Sequence, residues 1–328
     1  MFARHSDPRS CCPRSGAPNA RIQESGGPTG PHETLAFGIE LLKLKQRHCE
    51  RLADAHSIRE MKAGAAIREE LDNAILGFLT DREKDLYRKL ASDPLIKAWQ
   101  DHANHVSILR LGYNDHGPVH MRIVTLNSLK ILGFLREGGI LPSILFEKLG
   151  TFEDGQAIIL LSGMLHDLGM AVARQRHEWH SLLIGMRFVE RYLAEFYPDD
   201  FEKQVAITAI VQEGIVGHMG HEKIHSIEAG TVLVADGTDM AKGRARLARL
   251  HSTKPTIGDM HRHSANAIQE VVIEKGQERC VHIKVRMDDY SGIFQVEEVL
   301  MGKLSHSPIR DFVELSAAVR DEPIRRYL

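Results

Sequence analysis

Six side chains able to bind a metal recur along this sequence: His120, the adjacent pair His166-Asp167, His180, His218 and Asp236. By type they read H…HD…H…H…D. Imidazole nitrogen and carboxylate oxygen, with no thiolate, suit iron, manganese or zinc, and nothing in the set selects among the three. A divalent ion held this way polarises an oxygen of its substrate and acidifies water, so the chemistry to expect is hydrolysis. The pair His166-Asp167 is the most informative part. It ends the apolar run 157-AIILLSGML-165 and precedes Leu168-Gly169, where an ionisable pair is costly unless it has partners.

Ligands so far apart in sequence meet only if several helices point them inward. The periodicity supplies those helices. Apolar residues at three- and four-residue spacing predict helices over 35–56 and 58–79, then over 81–92 with Thr80 as its cap, and over 95–109 after Asp93-Pro94. The Gly-, Asn-, Asp- and Pro-rich stretch 112–120 reads as a loop leading into a helix over 119–139 that two glycines stop. Further helices are expected up to His166-Asp167 and over 176–197, 199–217 and 226–250. Lys242, Arg244 and Arg246 follow Asp236 on the last of these, and a guanidinium there suits an anionic substrate.

Beyond Pro255 the pattern changes. Strand-like alternation over 268–276 and 280–288 flanks Gly276-Gln277, followed by a helix over 292–304 and a strand over 311–319. The expected fold is mainly α, a helical bundle with a small C-terminal α+β (β-β-α-β) appendage. Its parts are a disordered tail (1–34), a helical segment (35–105), a metal-binding helical domain (106–255) and a small α+β domain (256–328).

Composition bounds the alternatives. A net charge of −2 over 328 residues gives no basic field for nucleic acid or an anionic membrane. The four cysteines form no CxxC pair, which argues against a thiolate zinc site and fits a reducing cytoplasm. No apolar run is long enough to span a bilayer. A homodimer is compatible with the long N-terminal helices but not demanded by them.

The ordered H…HD…H…H…D set, the apolar approach to its central pair, and Ala235-Asp236 with an arginine eight residues later resemble the two-metal phosphohydrolases of the HD superfamily. The likeness covers about residues 105–250. It implies His120, His166, Asp167 and Asp236 at one divalent ion, with His180, His218 and a shared Asp167 at a second. It also implies a small phosphorylated partner, a nucleotide above all, with Asp167 and Arg244 in catalysis, the first helping to position the attacking water and the second beside the phosphoryl group. His177, one turn before His180, is a candidate for protonating the leaving group, and His116 is its rival. Many such proteins carry a histidine soon after an Ala-Ile pair, where this chain has Glu213; Glu213 is therefore a candidate to replace that ligand with His218 as its neighbour, and His221, three residues after His218, is the next rival. Asp115 and Asp239 are candidates for orienting ligands through hydrogen bonds. Two other functions remain open at this level: a nucleotide-binding sensor without turnover, and a two-iron oxygenase.

Overall fold

Capping chemistry fixes where several helices begin. The computed structural model describes residues 64–240 and 264–328. Residues 64–76 form helix α1. Next come α2 (Asp81–Ser92) and α3 (Pro94–His105), the latter continuing into one π-helical turn, Val106–Arg110. Asp93 starts α3 by accepting hydrogen bonds from the amides of Leu95 and Ile96, with Pro94 at the first helical position. Thr80 precedes α2 but does not cap it through its side chain as expected. Its hydroxyl is engaged by the carboxylate of Glu83 instead.

After the 112–117 loop come α4 (Pro118–Glu137), the single turn α5 (Ser143–Phe146), α6 (Phe152–Leu165), α7 (His177–Phe196), α8 (Phe201–Gly217) and α9 (Ile227–Thr238). Helix α6 organises the rest. Its sequence is apolar on nearly every side, and such a helix is stable only when surrounded. Every residue in it but Glu153 is buried, with α2, α4, α8 and α9 packed about it. A reciprocal capping box opens it: Thr151 Oγ1 accepts from the Asp154 amide at 3.2 Å, and Asp154 Oδ2 accepts from the Thr151 amide at 2.8 Å. Asp154 is fully buried, and Arg82 at 2.7 Å and the Tyr197 hydroxyl at 2.8 Å compensate its charge.

Helix α9 ends at Thr238, well short of the 226–250 span expected. The Thr238 hydroxyl bonds back to the Ala235 carbonyl at 2.6 Å, and Asp239 leaves helical geometry. Lys242, Arg244 and Arg246 lie outside the described residues, as do the expected tail and the helix over 35–56.

The C-terminal part has the expected β-β-α-β order. Strands β1 (Ile268–Lys275) and β2 (Val281–Met287) form an antiparallel hairpin, and β3 (Val313–Val319) runs parallel to β2. The parallel pair needs a crossover. It is made by a π-helical stretch, Gln295–Leu300, that runs straight into α10 (Met301–His306). A two-residue β4 (Arg325–Arg326) completes the order β1-β2-β3-β4. Along β2, Val281, Ile283, Val285 and Met287 face inward and belong to the same hydrophobic cluster as Leu132 and Leu135 of α4. Bundle and sheet thus share one core, inside a unit that spans Glu60–Leu328. None of the described helices is long and apolar enough to cross a membrane.

Candidate metal centre

Helix ends converge on one buried point. His120 lies in the first turn of α4, and His166 caps the C-terminus of α6 with Asp167 next to it. His177 opens α7, His218 caps the C-terminus of α8, and Asp236 lies in the last turn of α9. The C-termini of α6 and α8 bring partial negative charge, which favours a cation between them. Two glycines allow the approach. A Cβ on Gly163 would stand 2.4 Å from Thr125 Oγ1 on α4, and one on Gly169 would stand 2.0 Å from the His177 carbonyl oxygen. The glycine of 166-HDLG-169 is therefore the reason α7 can start against the His-Asp pair.

Asp167 lies at the centre. Its Oδ2 is 3.1 Å from His120 Nε2 and 3.5 Å from His166 Nε2. Its Oδ1 is 3.1 Å from His177 Nε2 and 3.5 Å from His218 Nε2. Asp236 Oδ1 is 3.2 Å from His120 Nε2. Two donor sets have ligand atoms within 4.8 Å of one another: His120, His166 and Asp236, and His166, Asp167 and His218. All of these side chains are buried or nearly so.

The proton positions decide what this geometry is for. His166 Nδ1 faces the Gly163 carbonyl at 3.0 Å, His218 Nδ1 the Ile215 carbonyl at 2.6 Å, and His120 Nδ1 the carboxylate of Asp239 at 2.6 Å. Each acceptor receives a hydrogen bond from Nδ1–H, the tautomer that leaves a lone pair on Nε2 of the neutral ring. Yet the Nε2 atoms of His120 and His166 are only 3.2 Å apart. Two facing lone pairs at that distance repel unless a cation lies against both. Asp167 Oδ1 is buried and receives no hydrogen bond, although it has full acceptor capacity. The residues present therefore fit a metal ion, and the cluster can hold one.

Electrostatics agree. Burial opposes ionisation of Asp167, but the imidazoles of His166, His116 and His120 outweigh it and hold the carboxyl well below the usual range. Asp236 also works against burial; Lys303 and then His120 keep it ionised. Burial lowers His218 to about 4, against the pull of Asp167, with His166 and His177 adding to the fall. Ionised carboxylates and a neutral imidazole are the forms that ligate.

A cavity of about 600 Å³ opens onto Asp167, His177, His218 and Asp236. His116 and Arg174 line it from the bundle, and Gln295, Glu298 and Lys303 from the C-terminal crossover.

The structure brings together five of the six residues singled out as ligands: His120, His166, Asp167, His218 and Asp236. His180 is not among them. Helix α7 turns the stripe His177, Ser181, Gly185, Phe188 and Tyr192 inward, and His180 falls beside that stripe, half-buried. His177 stands in the cluster instead, its Nε2 3.0 Å from His218 Nε2. Glu213 is turned away to accept from the His225 amide at 2.5 Å, and His221 is largely exposed near Glu178. Asp115 caps the turn into α4 through the Gly117 amide, whereas Asp239 orients His120.

Comparison with known proteins adds a family. The uncharacterized protein MJ1020 of Methanocaldococcus jannaschii is 36% identical over 253 residues, which is 77% of this chain and 95% of that protein. The chain belongs to the MJ1020 family. Ribonuclease Y of Sulfurimonas denitrificans is 29% identical over 167 residues, half of this chain and 28% of that protein. No protein-family profile matches the sequence, and no solved structure does. In this member of the MJ1020 family, sequence reasoning missed two residues at the site. Arg174 faces the cavity, its guanidinium 3.0 Å from His177 Nδ1. Lys303 lies 67 residues beyond Asp236 and reaches it across the fold.

Proposed function

We propose that this protein is a two-metal phosphohydrolase of the HD type, acting on a nucleotide or another small phosphorylated molecule. The observation that carries this reading is the doubled arrangement about Asp167. One carboxylate oxygen faces His120 and His166, the other faces His177 and His218, so Asp167 can bridge two ions. His120, His166 and Asp236 would hold the first and His177 and His218 the second. When bound, the ions supply Lewis acidity toward a phosphoryl oxygen and toward water. The similarity to a ribonuclease over half the chain supports phosphoester cleavage as the reaction.

The protein's own groups do the rest. Asp239 holds His120 in the tautomer that exposes Nε2. Arg174 and Lys303 bring positive charge to the cavity, which suits a phosphate. The buried setting strengthens those interactions by excluding bulk water. His116 faces the cavity with its ring centroid 5.7 Å from that of His120, a position from which an imidazole can hand a proton to a leaving oxygen.

Metal content by elemental mass spectrometry and phosphate release from a nucleotide panel test this together. The expected result is about two ions per wild-type chain, lost with the activity in Asp167→Ala. Tight nucleotide binding by metal-loaded protein without phosphate release would assign a sensor instead, and dioxygen-dependent turnover an oxygenase.

A further inference from the structure

The C-terminal crossover inserts one charge into the cluster. Lys303 of α10 has a side chain only 11% exposed, and its ammonium is held by the carboxylate of Asp236 and by the His218 carbonyl at 2.6 Å. A buried ammonium is costly and is retained where its charge is used. Its stem crosses α9 at Gly237, where a Cβ would stand 3.0 Å from Lys303 Cδ. An ammonium has three donors, and Asp236 and the His218 carbonyl take two, which leaves one for a molecule in the cavity that Lys303 lines.

Its neighbours narrow the function. Asp236 offers Oδ1 to the imidazole side and presents Oδ2 to the lysine, so the ammonium stands at the border between the donor cluster and the open cavity. Arg174 lies on the cavity wall from the bundle side. An anion seated over Asp167 would meet a cation from each wall.

We propose that Lys303 anchors the substrate: its ammonium binds a phosphoryl oxygen beside the donor cluster, so the β-β-α-β part supplies one wall and one charge of the active site. This rests on the phosphohydrolase reading for its substrate class, but its test does not depend on turnover.

Inorganic phosphate is titrated by calorimetry into the full chain, metal-loaded and metal-free, for wild type, Lys303→Met and Lys303→Arg, with metal content measured in parallel. Lys303→Met keeps the apolar stem and removes the charge. It should retain the wild-type metal content and bind phosphate about tenfold or more weakly, the scale of one charge-assisted hydrogen bond. Lys303→Arg should recover part of the loss. Should Lys303→Met fail to fold, Lys303→Gln carries the same expectation. Phosphate affinity within about twofold of wild type, no phosphate binding by wild type in either state, or loss of metal in Lys303→Met overturns the anchor; the last makes Lys303 a holder of Asp236. Wild type that takes up no metal ends the phosphohydrolase reading, and the metal-free titrations then decide Lys303 alone.

Discussion

At the scale of single residues, the cluster is defined by which nitrogen of each ring carries the proton. Backbone carbonyls three residues upstream hold the Nδ1 protons of His166 and His218, a local arrangement made by their positions at helix C-termini. His177 and His180 give a sharp contrast. His177→Ala should lose metal, read by elemental analysis, while His180→Ala should retain it; the opposite pattern would remove His177 from the second donor set. A second prediction concerns acid. His218 is lowered from 6.5 to about 4, so between those values the unfolded chain binds the proton and the folded chain does not. Stability of the metal-free protein should therefore be complete above about pH 6.5 and fall as the pH drops toward about 4, by on the order of 3 kcal/mol. Asp167 and Asp236, held well below the ordinary carboxylate range, add their losses only in stronger acid. Urea titrations at pH 7.5 and pH 5 measure this, and equal stabilities would refute it. The His-Asp pair, His120, His218 and Asp236 were legible in the sequence because each is a ligand type in a revealing context. The choice of His177 over His180 was not, since it depends on the rotation of α7 about its axis. Nor was Lys303, a lone lysine whose importance comes only from what it touches.

At the scale of elements, most of the helices and the β-β-α-β order along the chain followed from periodicity. The 3.6-residue pattern gives α2, α3, α4, α7 and α8 within a few residues and the C-terminal end of α6, whereas the single turn α5 falls in what reads as a short connection; the alternation in 268–288 gives the hairpin. What escaped is where a tertiary contact overrides local preference. Helix α9 stops at Thr238, and the next residue, Asp239, is drawn to His120, although the sequence beyond it still reads as helical. Strand β4 is two exposed arginines, too short to carry a pattern. The packing of α7 against the turn after α6 gives a third prediction. Gly169→Ala would place a methyl group 2.0 Å from the His177 carbonyl oxygen and 2.5 Å from the Ser181 amide, both of them backbone. Helix α7 must move away, at a cost of about 2 kcal/mol or more, and it carries His177 with it. The variant should melt several degrees lower and bind its metal more weakly. A wild-type melting temperature would show that α7 is free to shift.

At the scale of the whole molecule, the sheet is part of the fold's core. Ile283, Val285, Leu300 and Leu315 pack in the cluster that contains Leu132, Leu135 and Ile158. A chain ending near residue 263 should therefore be poorly soluble or show no cooperative thermal transition, even though it holds every histidine and carboxylate of the donor cluster. A sharp transition and full metal uptake by that fragment would show that the bundle is self-sufficient. The pairing of Asp236 with Lys303 has a consequence in time as well as in space. During synthesis, every residue of the donor cluster has been added by Asp239, but the ammonium that neutralises its acidic corner follows 64 residues later. Until then the shared core lacks Leu304 and Leu315 as well, so the helices that aim the donors are not yet locked together. The order of translation thus holds back both the firm donor cluster and its lysine until the end of synthesis, and a message cut short upstream of Lys303 yields a product with neither a locked metal site nor the anchor for phosphate.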